Sequence, residues 1–189
     1  MNMRQCVVAA AFAVASACSS AAPVAYEGVL SPSVPVTGQV GGFSWFLDMG
    51  AGVDYWQFPG VAGQTVSLTV DRLNGNLDPG LSFYSGTTSA DTSQFSASAN
   101  WGGLTFIGSL DDERPPSMTP GLGGDPSGSF VLASSGNYTV VVGGSNSTDA
   151  GSYPYRLTLA LSAPIPEPPV WAMVALGLAG LRCWRRRRG

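Results

Sequence analysis

Three stretches of this chain alternate apolar and polar residues with the two-residue period of a β-strand. They read TVSLTVD at residues 65–71, NYTVVV at residues 137–142 and YRLTLAL at residues 155–161. Alternation of this kind buries one face of a strand and leaves the other face polar. Weaker strand candidates lie at residues 43–47, 54–58, 81–84, 104–107 and 129–133.

Glycine-rich turn sequences separate these candidate strands. Such clusters lie at residues 50–52, 74–76, 134–136 and 143–146. Eight short strands joined by turns of this kind predict an all-β fold, an antiparallel β-sandwich of jelly-roll type. We place this domain at residues 44–163, after an N-terminal extension at residues 23–43. Residues 111–128 are too many and too rich in proline for a hairpin turn, so they predict a surface loop.

The N-terminus has the pattern of a secretory signal peptide, assigned to residues 1–22 as a signal helix. Arg4 precedes an apolar run at residues 7–17, and small residues follow it. An alternative N-terminus is a lipidated Cys18, because Ala15, Ser16 and Ala17 before it loosely match a lipidation motif. In either case the sequence predicts an exported protein.

The C-terminal residues 164–189 combine prolines, a short apolar run and a block of arginines. The run at residues 170–181 predicts a transmembrane helix of 12 residues, about 18 Å long against a hydrocarbon core of about 30 Å. Its short length favours a transient or processed anchor over a permanent tail anchor, which is the alternative. The predicted membrane stop consists of Arg182, Arg185, Arg186, Arg187 and Arg188.

The order of these C-terminal features resembles a known sorting signal. Pro166, Glu167 and Pro168, then the apolar run, then the arginines resemble the PEP-CTERM signal of Gram-negative bacteria. The resemblance implies that an exosortase, a membrane-embedded cysteine protease and presumed transpeptidase, recognises the tail. It also implies a precursor anchored in the inner membrane, cut near Glu167, and a mature product at the cell surface or in the exopolysaccharide matrix.

The domain between the two signals resembles a second family. Five short motifs at residues 54–58, 63–68, 77–81, 135–142 and 151–157 follow the order seen in bacterial pre-peptidase C-terminal domains. The resemblance covers residues 44–160 and implies a small, non-catalytic β-sandwich. Members carry paired aspartates in an acidic loop that binds calcium. Asp112 matches them only loosely, and the long loop at residues 111–128 departs from the family.

The composition of the exported part excludes several classes of function. Residues 26–165 contain eleven carboxylates and three arginines, a net charge of −8. That charge disfavours nucleic acid as a partner and suits divalent cations. The chain has no histidine and no lysine, and its cysteines lie outside the predicted domain. Histidine- and lysine-dependent nucleophiles and structural disulfides are therefore excluded, and we expect no enzyme activity.

Acidic residues of two segments could meet at one end of the sandwich. Asp78, Asp111, Asp112 and Glu113 are the candidate ligands. Carboxylate oxygens suit Ca²⁺, which takes six to eight oxygen ligands. The sequence therefore predicts calcium as the one candidate cofactor. A glycosidase-type carboxylate pair in the same loop is less favoured, since adjacent residues rarely face each other across a sugar.

Aromatic residues suggest a second kind of ligand. Trp45, Trp56 and Trp101 could form a platform on which a sugar ring of the exopolysaccharide stacks. The predicted function is thus an exported, non-catalytic surface or matrix protein that an exosortase sorts. The alternative is a calcium- or carbohydrate-binding adhesion module of the exopolysaccharide matrix.

Overall fold

The computed structural model describes residues 22–146 and 150–163, and this part of the chain is all-β. Single 3-10 turns occur at Gly50–Gly52 and Thr92–Gln94. The nine described strands are β1 (Tyr26–Val29), β2 (Val36–Gly41), β3 (Asp54–Gly60), β4 (Thr65–Arg72), β5 (Pro79–Ser85), β6 (Thr105–Leu110), β7 (Ser127–Val131), β8 (Gly136–Gly144) and β9 (Ser152–Leu161).

The strands form two sheets. The first has the order β1-β3-β8-β5-β6 and the second has the order β2-β9-β4-β7. All neighbours are antiparallel except β1, which runs parallel to β3. The first sheet is therefore mixed, which corrects the expectation of a purely antiparallel sandwich.

The alternating apolar residues of the predicted strands lie between the two sheets. Val66, Leu68 and Val70 of β4 are fully buried, while the residues between them are partly exposed. Across from them, the rings of Phe58, Phe83 and Tyr138 stack with centroid distances of 5.5–6.0 Å. One apolar core thus joins both sheets, as in a β-sandwich-type fold.

Strand β8 is buried on both faces, which explains its nearly continuous run of apolar residues. Val140 and Val142 face the core between the sheets. Val141 faces the other way, into a second apolar cluster with Phe95, Trp101 and others. The connection between β5 and β6 supplies Phe95, Ala97, Trp101 and Leu104 to that cluster and covers the outer face of the first sheet.

Two strands occur where the sequence predicted an N-terminal extension. Strand β1 pairs with β3 and strand β2 pairs with β9, so the domain begins well before residue 44 and that boundary is wrong. Both strands are short and contain glycine, which weakens the alternating signal. Conversely, residues 43–47 form turns and no strand, with Leu47 N donating to Phe43 O.

The remaining strand predictions are confirmed, with shifted ends for β6 and β7. Residues 111–126 form the predicted loop, and it crosses from β6 in the first sheet to β7 in the second. Within the described residues, no helix is long and apolar enough to cross a membrane. The predicted signal helix and the residue 170–181 helix lie outside the described residues, as do the Pro-Glu-Pro motif and the arginine stop.

Candidate functional site

Three carboxylates meet at one end of the sandwich. Asp78 immediately precedes β5, and Asp111 and Asp112 immediately follow β6. The two strands are antiparallel neighbours with Leu81 opposite Leu110, so the start of β5 and the end of β6 lie at the same end of the sandwich. One oxygen from each carboxylate lies within 4.8 Å of the others. The structure thus brings together three of the four predicted cation ligands, called here the carboxylate cluster.

Two oxygens of the carboxylate cluster are buried without a hydrogen-bond donor among the described residues. They are Oδ1 of Asp78 and Oδ1 of Asp111. Two of the other oxygens accept hydrogen bonds: Ser145 Oγ donates to Asp111 Oδ2 over 3.2 Å, and Gly124 N donates to Asp112 Oδ1. An unsatisfied buried polar atom costs about 1–3 kcal/mol, so such an atom needs an explanation, and a bound ion is one.

Burial and the neighbouring negative charges disfavour the ionised forms of Asp78 and Asp111. Burial raises the pKa of Asp78 to about 6, and the nearby charges of Asp111 and Asp112 add to the shift. Burial and the charge of Asp112 likewise raise the pKa of Asp111. A cation bound here would favour the ionised forms of both groups.

The fourth predicted ligand, Glu113, does not join the cluster. Its carboxylate accepts hydrogen bonds from the backbone N–H of Asp111 at 3.0 Å and of Ser127 at 3.3 Å. Glu113 therefore ties the start of the loop to the start of β7. The structure therefore does not bring Glu113 together with the other three candidate ligands.

Arg72 lies beneath the cluster, with a fully buried side chain. Its Nε donates to Asp125 Oδ1 over 2.5 Å. Its other nitrogens donate to backbone carbonyls of the loop, those of Leu122 and Gly124. One nitrogen, Nη2, also lies 3.5 Å from Asp78 Oδ1. Arg72 therefore fixes the loop of residues 111–126 to the end of β4 and offsets part of the negative charge.

Asp125 completes this arrangement from inside the loop. Its Oδ2 accepts from the backbone N–H of Ser117 at 2.9 Å and from Ser117 Oγ at 2.5 Å. Burial by itself raises the pKa of Asp125, but the hydrogen bonds from Ser117 and Arg72 outweigh it, so the pKa lies below its usual value. Asp125 remains ionised and pairs with Arg72.

Sequence reasoning missed this pair, although one signal for it was present. Arg72 continues the alternation of Val66, Leu68 and Val70, so it stands on the face of β4 that is buried. A charged residue on a buried face needs a partner of opposite charge. Nothing in the sequence identified Asp125 as that partner.

Gly123 lies directly against the cluster and has a backbone φ of +58°. A Cβ at this position would overlap Asp78 Oδ1 and Asp112 Oδ1. Both the left-handed backbone and the close approach require glycine here. The loop backbone can therefore lie closely over the carboxylates.

The three predicted platform tryptophans do not share a surface. Trp56 is buried in the main core, where its Nε1 donates to Tyr155 Oη over 2.7 Å. Trp101 is buried in the second cluster. Trp45 is half-buried, and its Nε1 donates to Ser82 Oγ. A stacking platform of these three residues is therefore wrong, because alternation and the covering segment turn two of the rings inward.

A family comparison identifies the C-terminal segment. Residues 164–188 match the PEP-CTERM protein-sorting motif. The chain carries a PEP-CTERM sorting signal. The PEP-CTERM motif implies export, anchoring in the membrane before processing, and an exosortase as the processing partner. The resemblance noted from Pro166, Glu167 and Pro168 is thereby confirmed.

Comparison with solved structures concerns the domain that precedes the PEP-CTERM signal. A surface-associated copper-binding protein of Methylomicrobium album BG8, CorA, is 14% identical with a TM-score of 0.56; the match covers 73% of this chain and 99% of CorA. The secreted protein MopE of Methylococcus capsulatus, whose structure concerns copper binding, is 12% identical with a TM-score of 0.50, covering 75% and 92%. At these identities the likeness shows a common fold alone.

Similar structures also include the pre-peptidase C-terminal domain of a Bacillus anthracis collagenase. It is 12% identical with a TM-score of 0.42, and the match covers 72% of this chain and 97% of that domain. No curated protein matches the sequence.

Proposed function

We propose that this protein is an exported, non-catalytic component of the cell surface or extracellular matrix of a Gram-negative bacterium. The observation that carries the proposal is the PEP-CTERM motif at residues 164–188. An exosortase would cut the membrane-anchored precursor near Glu167 and release or transfer the β-sandwich. The mature product would then consist of that domain.

The side-chain inventory supports a role without catalysis. The chain contains no histidine and no lysine, which removes the usual nucleophile-activating bases. Glycosidases need two carboxylates that face each other with room for a sugar or water between them. Here Gly123 lies against Asp78 and Asp112, where a Cβ would already overlap both.

The order of the strands supports the jelly-roll form of the sandwich. In a jelly roll, eight strands form two Greek keys across two sheets. Strands β2-β9-β4-β7 and β3-β8-β5-β6 follow such an order. Strand β1 would then be an addition at the edge of the first sheet.

The experiment that tests the proposed function is the intact mass of the protein from the cell envelope and from the medium. A mass that ends near residues 166–168, with or without an added group, would support sorting by cleavage. A mass that retains Arg185 to Arg188 would mean a plain membrane anchor and would overturn the exosortase step.

A second activity, binding of a divalent cation, is favoured by the buried oxygens of Asp78 and Asp111 that accept no hydrogen bond among the described residues. We infer that the carboxylate cluster binds Ca²⁺, with Asp78, Asp111 and Asp112 as its protein ligands. Backbone carbonyls and water would supply further oxygens, as is usual for this ion. The protein would then be a calcium-binding module of the surface or matrix.

The donor chemistry of the carboxylate cluster favours calcium over copper. CorA and MopE are described as copper-binding proteins, and copper sites favour imidazole and sulfur ligands. The chain has no histidine, and its three cysteines are residues 6, 18 and 183, outside the sandwich. Its two methionines in the sandwich are Met49 and Met118, and the carboxylate cluster itself offers oxygen ligands alone. Titration calorimetry with Ca²⁺ and with Cu²⁺ distinguishes the two: we expect heat of binding for Ca²⁺, and binding of Cu²⁺ alone would contradict the assignment.

A further inference from the structure

The two ends of the sandwich differ sharply in charge. At the end that holds the carboxylate cluster, residues 48–54, 71–78 and 111–125 carry eight carboxylates and two arginines. We call this the acidic end. The opposite end is formed by residues 30–35, 60–65, 131–137 and 161–163, and none of them is charged. We call it the tail end.

The tail end is where the chain leaves the domain toward its sorting signal. Strand β9 runs from Ser152, opposite Gly41, to Leu161, opposite Val66. After it, Ser162 N donates to Thr65 O over 2.9 Å. The domain is therefore held up to residue 162, and the PEP-CTERM motif begins at residue 164. Only residues 163–169 lie between the end of the domain and the apolar run at residues 170–181 that is predicted to enter the membrane.

Exposed valines occupy the tail end. Val61 lies in the turn between β3 and β4, and Val131 ends β7 opposite Thr65. Val29 ends β1, and Val34 lies in the connection from β1 to β2. Their side chains are 51–68% exposed. An uncharged surface with exposed apolar side chains suits the interface of a bilayer. Burial of the apolar area there is favourable in free energy, and no charge has to be desolvated.

We propose that the tail end of the sandwich lies against the lipid bilayer while the precursor is anchored, with the valines at residues 29, 34, 61 and 131 in contact with the headgroup region. This proposal rests on the membrane anchoring that belongs to the proposed function. The few residues between β9 and the predicted membrane segment keep the tail end near the bilayer. The difference in charge between the two ends favours the same orientation, because anionic headgroups repel the acidic end and not the neutral end.

The orientation has a consequence for the carboxylate cluster. Ten residues of β9 separate the two ends, which corresponds to about 33 Å of extended strand. Electrostatic interactions in physiological salt decay over about 8 Å. The cation site would therefore face away from the membrane, beyond the electrostatic influence of the lipid surface.

The test measures lipid contact at both ends of the anchored chain. The full chain, with Cys6, Cys18 and Cys183 replaced by serine, receives one fluorescent label through Val61→Cys or Val131→Cys. Leu122→Cys is the matched control, since Leu122 is 54% exposed at the acidic end and Val61 is 51% exposed at the tail end. Each variant is reconstituted into vesicles of phosphatidylethanolamine and phosphatidylglycerol, with and without nitroxide-labelled lipid.

We expect a blue shift of emission and quenching by the nitroxide lipid at residues 61 and 131, and neither effect at residue 122. Equal quenching at both ends, or none at the tail end, would overturn the proposal. A blue shift without lipid quenching would point to contact between two copies of the chain and would also overturn it. Flotation of the same samples reports anchoring separately, so protein that floats but shows no quenching rejects the orientation and leaves anchoring intact.

A charge variant supplies a second readout. Val61→Asp combined with Val131→Asp should abolish quenching of a label at Val34→Cys, because two carboxylates resist burial in the headgroup region. Leu122→Asp should leave that quenching unchanged. Undiminished quenching in the double variant would contradict contact of the valines with lipid.

Discussion

Arg72 and Asp125 form an ion pair whose two side chains are both fully buried, with 2.5 Å between Nε and Oδ1. The pair joins the end of β4 to the long loop between β6 and β7. Because a buried charge is tolerated only with good partners, the pair determines where the loop lies, and with it the positions of Asp112 and Gly123. The candidate cation site therefore depends on residues that are not its ligands.

Removing one member of this pair should be strongly destabilising. Arg72→Met leaves Asp125 buried without its main partner, and we expect a loss of about 3–5 kcal/mol in the free energy of unfolding. Urea unfolding measures it. Arg156→Met is the matched control, since Arg156 pairs with Asp71 at an exposed position and such pairs contribute about 1 kcal/mol or less. Similar losses in both variants would show that the buried pair has no special role.

Calcium should raise the thermal stability of the protein, and Asp111→Asn should abolish the effect. A ligand that binds only the folded state stabilises it by about 2.7 kcal/mol at 100 times its Kd. The midpoint of thermal unfolding, with Ca²⁺ and with chelator, measures this. Glu113→Gln should retain the response, because the side chain of Glu113 serves backbone amides. An unchanged midpoint in wild type would reject the site.

Without calcium, acidification from pH 7 toward pH 4 should stabilise the fold. The pKa of Asp78 is raised from 3.8 to about 6, so between these values the native state binds more protons than the unfolded state. The free energy of unfolding must then fall as pH rises through this window, by at most about 3 kcal/mol from this group. Unfolding in chelator across the range measures it.

Asp78→Asn should flatten this dependence, and calcium should stabilise wild type more at pH 7 than at pH 5, because protons compete with the ion. The same pH dependence in wild type and in Asp78→Asn would exclude Asp78 as its source.

Gly123→Ala should destabilise the loop and weaken calcium binding. Its φ of +58° disfavours alanine, and a Cβ would overlap two carboxylates of the cluster. Gly103→Ala is a close control, since Gly103 has a φ of +86° and no atom near the added Cβ. We expect about 1 kcal/mol for Gly103→Ala from the backbone alone and a larger loss, with reduced calcium response, for Gly123→Ala. Equal losses would mean that the contact with the carboxylates is unimportant.

Glu167→Gln should leave unprocessed precursor in the membrane fraction. Glu167 is the charged residue of the Pro-Glu-Pro motif within the matched segment, so an exosortase that recognises the motif should depend on it. Immunoblots of the membrane fraction and the medium, with Glu113→Gln as the control, measure the ratio of precursor to product. Normal maturation of Glu167→Gln would contradict recognition of this motif.

Features encoded by contiguous residues could be predicted from the sequence. Strands β4 and β9 follow from alternation, since the side-chain period of a strand is local. Strand β8 was predicted in the right place, but with one buried face, whereas both of its faces are buried. The sorting signal follows from the order of its parts in residues 164–188. The loop at residues 111–126 follows from its length and prolines, and the acidic character of the domain follows from its composition.

Other features depended on contacts between distant residues. Arg72 and Asp125 are 53 residues apart, and only the crossing of the loop from one sheet to the other brings them together. Trp101 is buried because the connection between β5 and β6 folds over the first sheet. Strands β1 and β2 are too short and too rich in glycine to be recognised without their partners β3 and β9.

The sequence alone therefore determined the alternating strands, the net negative charge and the sorting signal, because each is a local or additive property of the chain. Tertiary structure decided which carboxylates meet, since the register of β5 and β6 places Asp78 beside Asp111. It also decided that the carboxylate of Glu113 accepts hydrogen bonds from backbone amides, and that Trp56 and Trp101 are buried. It placed the point where the chain leaves the domain at the uncharged end. These outcomes depend on sheet pairing and packing, which no single segment encodes.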